Sequence, residues 1–373
     1  MHKKIISILL FFYYHHSLIA QYTEYVAPEF IKTIQFIGST KQSQLPIIRL
    51  GEKVSLSFDA LNGDEADYYY KITHHDFDWK LSDLTKGEYM DGFDDVRLYE
   101  YSNSFNTLKG YSHYTLKIPN RDTRKLTKSG NYMISIYNDD SELVFSKKFM
   151  IIENKVTVDA SVKRARNLEN IQTKQVVQFV IDSPNLLLTN PKETVNTLIL
   201  QNSNLNFPIT NLKPQYTIGS QLIYRYDKEA SFDAGNEYLF FDNKDIRSGS
   251  SSIRKIDLTD IYNTYLYTNS ARFERPYTYN PDINGNYQIR ILYPTSDISI
   301  EADYARVHFA LQYFEDLNDK EIHVYGNFNN YTIDETTFMK YDSFSDTYTN
   351  QMLLKQGFYN YKYVVVNRDG TID

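Results

Sequence analysis

The sequence contains no cysteine and only one tryptophan among its 373 residues. The absence of cysteine excludes disulfides, cysteine nucleophiles and lipid attachment at a cysteine, so each core must be held by packing alone. By contrast, the chain has 34 Tyr and 22 Phe. Tyrosine suits half-buried strands, because its ring packs on a pleated surface while its hydroxyl stays in water. Such rings also form contact surfaces for partner proteins.

Long apolar runs are almost absent. The one run, residues 5–14, follows Lys3-Lys4 and precedes the small residue Ala20. It is about half the length needed to cross a bilayer, which takes roughly 20 apolar residues. This layout predicts a cleavable signal peptide at residues 1–20 and an exported mature chain that begins at Gln21. The alternative is an uncleaved membrane anchor, against which the short run and the Ala20-Gln21 junction argue.

Basic residues are too few to form a cationic face. The chain has 40 Lys and Arg against 47 Asp and Glu, a net charge of −7. Removing residues 1–20 takes away two lysines and no acidic residue, which brings the net charge to −9. A well-mixed acidic surface argues against nucleic acid as a partner and against docking on anionic lipid. We therefore expect neither nucleic-acid binding nor direct membrane insertion.

Helical periodicity is also missing, and period-two alternation takes its place. Val54, Leu56 and Phe58 alternate with serines, and similar alternation recurs up to Tyr359, Tyr361 and Tyr363. Turn clusters rich in Asn, Gly and Asp separate the runs. Many short strands at this spacing predict an all-β fold of immunoglobulin-like or E-set β-sandwich domains in tandem.

Composition shifts divide the mature chain into three predicted domains. They are an N-terminal β-sandwich at residues 21–154, a middle β-sandwich at 155–300 and a C-terminal E-set-like β-sandwich at 301–373. The last block is short for a sandwich, and its final residues form a turn that enters a further strand. The last sheet would then expose an unpaired edge, so we expect this third domain to be incomplete.

The densest polar constellation is the run of residues 74–79, His-His-Asp-Phe-Asp-Trp. His74, Asp76 and Asp78 alternate and could line one face of a strand as metal ligands. The alternative is an Asx-type turn that Trp79 anchors in the core, which we favour because a catalytic metal needs three converging ligands.

Other catalytic and ligand-binding signals are weak. Residues 282–286 resemble a calcium loop but lack its twelfth-position Glu, and Asn284-Gly285 is typical of a hairpin turn. No Gly-x-Ser-x-Gly motif and no Gly-rich loop before a helix is present. Paired carboxylates for glycoside hydrolysis stay open, because their spacing in space is invisible in a sequence. We expect no enzymatic activity, no metal, no cofactor and no small-molecule ligand.

Three motifs in order resemble the type IX secretion plug protein family of Bacteroidota-type bacteria. They are His-x-Asp-x-Asp-Trp, Glu-Tyr-x-Asp-Gly-Phe and Tyr-x-x-Ser-Phe-Asn-Thr. The motif residues that they contribute are His74, Asp76, Asp78, Trp79, Glu88, Tyr89, Asp91, Gly92, Phe93, Ser104, Phe105 and Asn106. Later segments fit as well, namely 212–214, 235–238, 282–285, 301–304 and 355–361. His75 departs from the pattern, where a smaller residue is expected.

The resemblance implies a non-enzymatic periplasmic protein, peripherally associated with the outer membrane. Its expected partner is the outer-membrane translocon barrel of the type IX secretion system, whose periplasmic mouth it would occlude when no substrate is passing. Aromatic-rich loops are the expected anchors, and we assign this role to Tyr99, Tyr101, Phe273, Arg275 and Tyr277. The alternative for each of these residues is ordinary loop packing.

The third block also resembles glycogen-binding-type sandwich modules. Residues 324–331 carry the Gly-x-Phe-Asn-Asn signature, and residues 357–366 match the Gly-x-Tyr-x-Tyr-Lys strand. The sugar-binding members have Trp where this chain has Tyr331. We interpret the signature as architecture, and the alternative function is an exported carbohydrate-binding protein that uses this module.

Overall fold

The structure, a computed structural model, describes residues 23–39, 44–63, 65–235, 238–272 and 281–372. Strand accounts for 46% of it and helix for 4%, which confirms the predicted all-β fold. Each α-helix in these ranges has four residues. None of the helices in the described part is long and apolar enough to cross a membrane. The predicted signal peptide, residues 1–20, lies outside the described residues.

The N-terminal module is a sandwich of two sheets with a short helix between strands. Its elements are β1 Ile31–Ile37, β2 Ile47–Arg49, β3 Val54–Ala60, β4 Tyr68–His75, α1 Lys86–Tyr89, β5 Met90–Gly92, β6 Val96–Arg97, β7 Glu100–Asn103, β8 Ser112–Ile118, β9 Thr123–Leu126, β10 Gly130–Asn138 and β11 Leu143–Ile152. One sheet has the order β1-β3-β8-β7 and the other β2-β11-β10-β4-β6, while β5 pairs with β9. Alternate apolar residues of both sheets meet in a shared core.

Aromatic rings fill the centre of that core. Phe58 stacks on Tyr114 at 5.2 Å between ring centroids, and it meets Tyr68 and Phe145 edge-on at 5.2 and 5.1 Å. Burial raises the pKa of the Tyr68 hydroxyl to about 12. These rings come from both sheets, so the aromatic content of the sequence is used here for packing.

The middle module is smaller and more open. Its elements are β12 Thr157–Arg164, β13 Lys174–Asp182, α2 Pro191–Thr194, β14 Leu198–Ile199, β15 Ile209–Thr210, β16 Tyr216–Ile218, β17 Gln221–Tyr224 and β18 Ser231–Asp233. The main sheet has the order β12-β13-β17-β16, and β18 also pairs with β13. Phe179 stacks on Tyr224 at 4.2 Å in a small core with Ile181 and Leu222.

The C-terminal module contains two further sheets. Its elements are β19 Leu239–Asp242, β20 Ile253–Leu258, β21 Tyr262–Leu266, β22 Asn269–Ser270, β23 Tyr287–Ile289, α3 Ile298–Glu301, β24 Tyr304–Gln312, β25 Glu321–Tyr325, a 3-10 turn Asn327–Asn329, β26 Lys340–Asp342, β27 Thr347–Lys355 and β28 Gly357–Val366. One sheet joins β19, β23 and β25 to β28, and the other has the order β20-β21-β24-β27-β26.

The sheet pairings differ from the predicted division at residues 300/301. Strands β19 and β23 pair with β28, and strands β21 and β22 pair with β24, whereas β24 and β28 both lie beyond residue 303. A boundary at 300 would therefore cut two sheets. The N-terminal sheets end at Ile152 and β12 begins at Thr157, on either side of the predicted boundary at 154. We propose module boundaries near residue 154 and between β18 and β19.

Candidate functional site

The His74–Trp79 motif forms the turn at the end of β4. The Trp79 N–H donates to the Asp76 carbonyl at 3.0 Å, and the Asp76 N–H donates to the Lys80 carbonyl at 2.8 Å. Asp78 accepts the Lys80 N–H at 3.3 Å and forms an ion pair with its ammonium at 2.6 Å. The turn therefore has the Asx-type geometry that the sequence analysis favoured.

Trp79 is the structural anchor of this turn. Its side chain is buried with Leu45 and Met150 of the N-terminal module, and Leu200 and Leu205 of the middle module pack against the same cluster. The Lys148 ammonium lies 4.4 Å from the centre of the Trp79 ring. Trp79, the one tryptophan of the chain, therefore packs at the junction of the N-terminal and middle modules and stabilises it.

Both histidines of the motif are engaged by protein groups. His74 Nδ1 lies 2.8 Å from Ser82 Oγ, and its Nε2 lies 3.1 Å from the Ser129 carbonyl. His75 Nε2 lies 2.8 Å from Thr73 Oγ1, and its Nδ1 lies 3.1 Å from the Trp79 carbonyl. Burial lowers the pKa of His75. Within the described ranges, no group of three His, Cys, Asp or Glu residues could hold a metal ion.

The Glu88–Phe93 motif is built on α1 and the following β5. The Glu88 carboxylate accepts both the N–H and the hydroxyl of Thr85 at 2.7 Å, which caps the helix. The Tyr89 hydroxyl donates to the Ile72 carbonyl at 3.1 Å. The Asp91 carboxylate accepts from the Arg124 guanidinium at 2.5 Å. These three residues support the local fold.

Gly92 and Phe93 complete this motif in different ways. Gly92 has φ +111°, and a Cβ there would overlap the Asp122 carbonyl oxygen, so glycine is required. The Phe93 N–H donates to that same carbonyl at 2.9 Å. The Phe93 ring is 73% exposed. Gly92 therefore permits the backbone conformation that presents the Phe93 ring to solvent.

The third motif docks on the C-terminal module. Ser104 holds the loop closed, because its Oγ accepts the Tyr111 N–H at 3.1 Å, and Asn106 has the positive φ of +58° that the loop requires. The Phe105 N–H donates to the Ile300 carbonyl at 2.9 Å. The Asp303 carboxylate accepts the N–H groups of residues 108 and 109 at 2.7 and 3.1 Å. Two family-like segments, 101–107 and 301–304, thus meet in space.

A buried charged cluster lies at the same junction. The Lys355 ammonium on β27 lies 2.6 Å from the Asp59 carboxylate on β3, and both side chains are almost fully buried. The Tyr304 hydroxyl donates to the same carboxylate at 2.6 Å, and His113 Nδ1 lies 2.6 Å from its other oxygen. Thr33 Oγ1 lies 2.6 Å from the Tyr304 hydroxyl. We call these five residues the latch.

Burial and the Asp59 charge shift the Lys355 pKa in opposite directions and the Tyr304 pKa in the same direction. Burial lowers the pKa of the Lys355 ammonium, and the adjacent Asp59 carboxylate opposes that change. Burial and the same carboxylate raise the pKa of the Tyr304 hydroxyl well above its ordinary value. The Lys355 ammonium also lies 4.1 Å from the centre of the Tyr111 ring. A buried pair of this kind adds little net stability but strongly penalises any arrangement that separates its members. The latch therefore fixes the two modules in one orientation.

Exposed rings line one lateral edge of the N-terminal sandwich. The segment 93–105 contains β6 and β7. Strand β6 is an edge strand of the five-stranded sheet, and β7 is an edge strand of the four-stranded sheet, so the segment crosses from one sheet to the other. Tyr99 and Phe105 are each 62% exposed, and Tyr101 is also exposed. We call Phe93, Tyr99, Tyr101 and Phe105 the aromatic edge. Single exposed rings are ordinary on a protein surface, and these four follow one another along the segment that crosses from one sheet to the other.

Local contacts hold two of these rings in place. Tyr101 stacks on Tyr114 at 5.5 Å, and its hydroxyl donates to Glu65 at 3.0 Å. The Arg121 guanidinium lies 5.8 Å from the centre of the Tyr99 ring. Rings fixed in this way lose little side-chain entropy on binding. The other predicted anchors, Phe273, Arg275 and Tyr277, lie outside the described residues.

A cleft of about 1600 Å³ opens between the three modules. Its walls include Lys32 and Lys147 of the N-terminal module, Asn204 of the middle module and Tyr331 of the C-terminal module. Tyr331 is buried, and its hydroxyl lies 3.3 Å from the Asn202 carbonyl. It therefore presents no flat exposed ring of the kind that a sugar platform uses, and the carbohydrate-binding alternative gains no support here.

Sequence reasoning missed the latch. Asp59 and Lys355 are 296 positions apart, and neither was singled out as a site residue. The available signal was a charged residue inside an apolar strand, since Asp59 follows Phe58 and precedes Ala60. Such a residue indicates a buried partner but does not identify it.

Comparisons with known proteins extend these observations. The family model described as "Type 9 secretion system plug protein 1st domain" matches residues 31–153. The chain is also similar to a crystal structure of a hypothetical protein from Parabacteroides merdae ATCC 43184. The two share 31% sequence identity and a TM-score of 0.89, over 95% of this chain and 90% of the other. No curated protein matches.

Proposed function

Because this chain belongs to the type 9 secretion system plug protein family, we propose that it occludes the outer-membrane translocon of that system. Family membership associates the chain with type 9 secretion in the periplasm and with a non-enzymatic role. The finer proposal is that the folded chain binds the periplasmic mouth of the translocon barrel and blocks its pore when no substrate is passing.

The observation that carries this proposal is the aromatic edge beside the latch. The edge lies within the matched domain, and Phe105 continues into the loop that docks on Asp303. A body that blocks a pore must keep its shape, and the latch and the Trp79 cluster both join separate modules. The surface and its rigid support therefore fit a function based on contact and shape.

The chemistry of the aromatic edge suits reversible binding. Aromatic residues are frequent hot spots of interfaces, and polar neighbours leave an interface wet and separable. Glu65 and Arg121 contact the edge directly, so its rings are bordered by charge. A plug must dock tightly enough to seal the pore, and it must leave when a substrate arrives.

A pull-down from detergent-solubilised outer membranes tests the proposal. The bait is the full chain with Phe93, Tyr99 and Phe105 each replaced by Ser, compared with the unchanged chain. A matched control replaces three other exposed rings, Phe314, Tyr341 and Phe344, which all lie in the C-terminal module.

We expect the unchanged chain and the control to retain a very large barrel protein. The edge variant should lose at least about a hundredfold in affinity, because each aromatic hot spot contributes about 2 kcal/mol or more. Equal retention by the edge variant would remove the aromatic edge from the proposal. Failure of the unchanged chain to retain any barrel would contradict the proposal as a whole.

A further inference from the structure

Strand β12 is an open edge of the middle module. All of its eight residues are exposed, although β12 pairs along its whole length with β13. It stands at the end of the sheet order β12-β13-β17-β16, so its other side has no neighbouring strand among the described residues. An edge strand presents unpaired N–H and C=O groups to a further strand.

The direction of these groups follows from one hydrogen bond. The Ala165 N–H donates to the Lys174 carbonyl of β13 at 3.3 Å. In an antiparallel pair, alternate residues direct both backbone groups to the same side. Odd-numbered residues of β12 therefore bond to β13. Val158, Ala160, Val162 and Arg164 direct their backbone groups outward.

Three of these four outward-bonding residues, Val158, Ala160 and Val162, form an apolar row. In the register of the sheet, Val158 lies opposite Ile181, Ala160 opposite Phe179 and Val162 opposite Val177. Residues that lie opposite each other share a face, so the row continues the core face of the module. Phe179 and Ile181 are buried, whereas Val158 and Val162 are 57% and 65% exposed. The layer that covers the core thus ends before β12.

The charge around β12 is the reverse of the charge of the whole chain. Residues 155–166 contain four basic residues, Lys155, Lys163, Arg164 and Arg166, and one acidic residue, Asp159. The whole chain has a net charge of −7. Lys163 shares the polar face of β12 with Asp159 and lies at the basic end of the strand, next to Arg164 and Arg166. A strand with an acidic side chain opposite Lys163 would complement this end of the edge.

We propose that β12 accepts an extended segment of a partner protein as an additional strand of the middle sheet. The segment has small or β-branched apolar residues on one face, which cover Val158, Ala160 and Val162. It has an acidic residue on the other face, opposite Lys163. Main-chain hydrogen bonds hold the segment, and the alternating side chains select it. This inference does not depend on the proposed function.

The test uses the full chain and a synthetic eight-residue peptide of alternating Val and Glu, matched to the length of β12. Binding is measured by fluorescence anisotropy at moderate salt. One control peptide has Lys in place of Glu. A second has a central proline, which prevents extended pairing but keeps the acidic charge.

Three protein variants are compared, of which two change β12 and one is a control. Lys163→Glu reverses a charge on β12, and Lys213→Glu makes the same change at an exposed position before the opposite edge strand, β16. Ala160→Pro removes an outward N–H but no bond to β13, so the sheet is retained. Circular dichroism checks the fold of each variant.

We expect the Val-Glu peptide to bind, and both control peptides to fail. Lys163→Glu should weaken binding at least about tenfold and should confer binding of the Val-Lys peptide, because charge complementarity selects the partner. Lys213→Glu should leave binding unchanged, and Ala160→Pro should abolish it. Equal binding of the proline peptide, or no effect of Lys163→Glu, would overturn the proposal. So would a dimer in sedimentation that Ala160→Pro dissociates, since a second copy would then cover the edge.

Discussion

The Asp59 carboxylate and the Lys355 ammonium form an ion pair of 2.6 Å across 296 sequence positions. One partner belongs to a strand of the N-terminal sandwich and the other to a strand of the C-terminal module. Neither side chain is accessible to solvent to any significant extent. This ion pair joins the domain matched by the family model, residues 31–153, to the C-terminal module. It favours one orientation of the two modules over others.

Breaking this pair should destabilise the chain strongly. Lys355→Met leaves the Asp59 carboxylate buried without its counter-ion, and we expect the free energy of unfolding to fall by about 3–5 kcal/mol. Asp59→Leu should cost at least as much, because Tyr304 and His113 also lose their acceptor. Urea denaturation measures both. The double variant should cost less than the sum of the two single variants, and strict additivity would contradict a direct pairing.

The Trp79 cluster predicts a contrast between neighbouring aromatic residues. Trp79→Ala should lower the free energy of unfolding by about 3–5 kcal/mol, because it empties the site shared by two modules. Phe77 lies two residues earlier in the same turn and is exposed. Phe77→Ala should change stability by no more than about 0.5 kcal/mol. Thermal unfolding of both variants checks this, and similar losses would show that Trp79 does not join the modules.

His75 predicts a pH dependence of stability. Burial lowers the pKa of His75 in the folded chain below its ordinary value of 6.5. The unfolded chain therefore binds a proton at a higher pH than the folded chain does. This contribution is complete above pH 6.5 and is lost as the pH falls through 6.5 toward the lowered value.

The measurement compares thermal unfolding of the unchanged chain and His75→Gln over that pH interval. The variant should show a smaller loss of stability on acidification, although it starts from a lower stability. His308, whose pKa burial also lowers, contributes a slope of the same sign in both proteins. Identical slopes in the two proteins would contradict the role of His75.

At Gly92, we predict that adding a single carbon atom lowers the free energy of unfolding. Gly92→Ala places a Cβ at φ +111° against the Asp122 carbonyl, so we expect a loss of more than about 1 kcal/mol. Gly87, in α1, has a helical backbone and no neighbouring atom within 4 Å of such a Cβ. Gly87→Ala should be neutral or slightly stabilising. Chemical denaturation distinguishes the two, and equal effects would mean that Gly92 is not constrained.

Local patterns were enough to predict the strands. The alternation at Val54, Leu56 and Phe58 predicted a half-buried strand, and β3 buries all three side chains. The preference for a turn over a metal site at His74–Trp79 also followed from local chemistry, because a catalytic metal needs three converging ligands. These properties depend on residues close together in the sequence.

Pairing between distant strands could not be predicted in this way. The alternation at Tyr287 and Ile289 identifies β23, but nothing local indicates that its neighbour is β28. The predicted division at residue 300 differed from the observed sheets for this reason. The latch could not be predicted for the same reason. A charged residue in an apolar strand indicates that a partner exists, but it does not identify which residue that partner is.

The central claim is that this chain occludes the translocon pore through its shape and its contacts with the barrel. The most direct measurement is entry of a large antibiotic, normally excluded by the outer membrane, into native-host cells that lack the protein. Cells re-expressing the unchanged chain, the aromatic-edge variant or the control with Phe314, Tyr341 and Phe344 replaced provide the comparison. We predict entry in the deletion strain and in the edge-variant strain, and exclusion in the other two. An equally tight outer membrane in the deletion strain would contradict the claim.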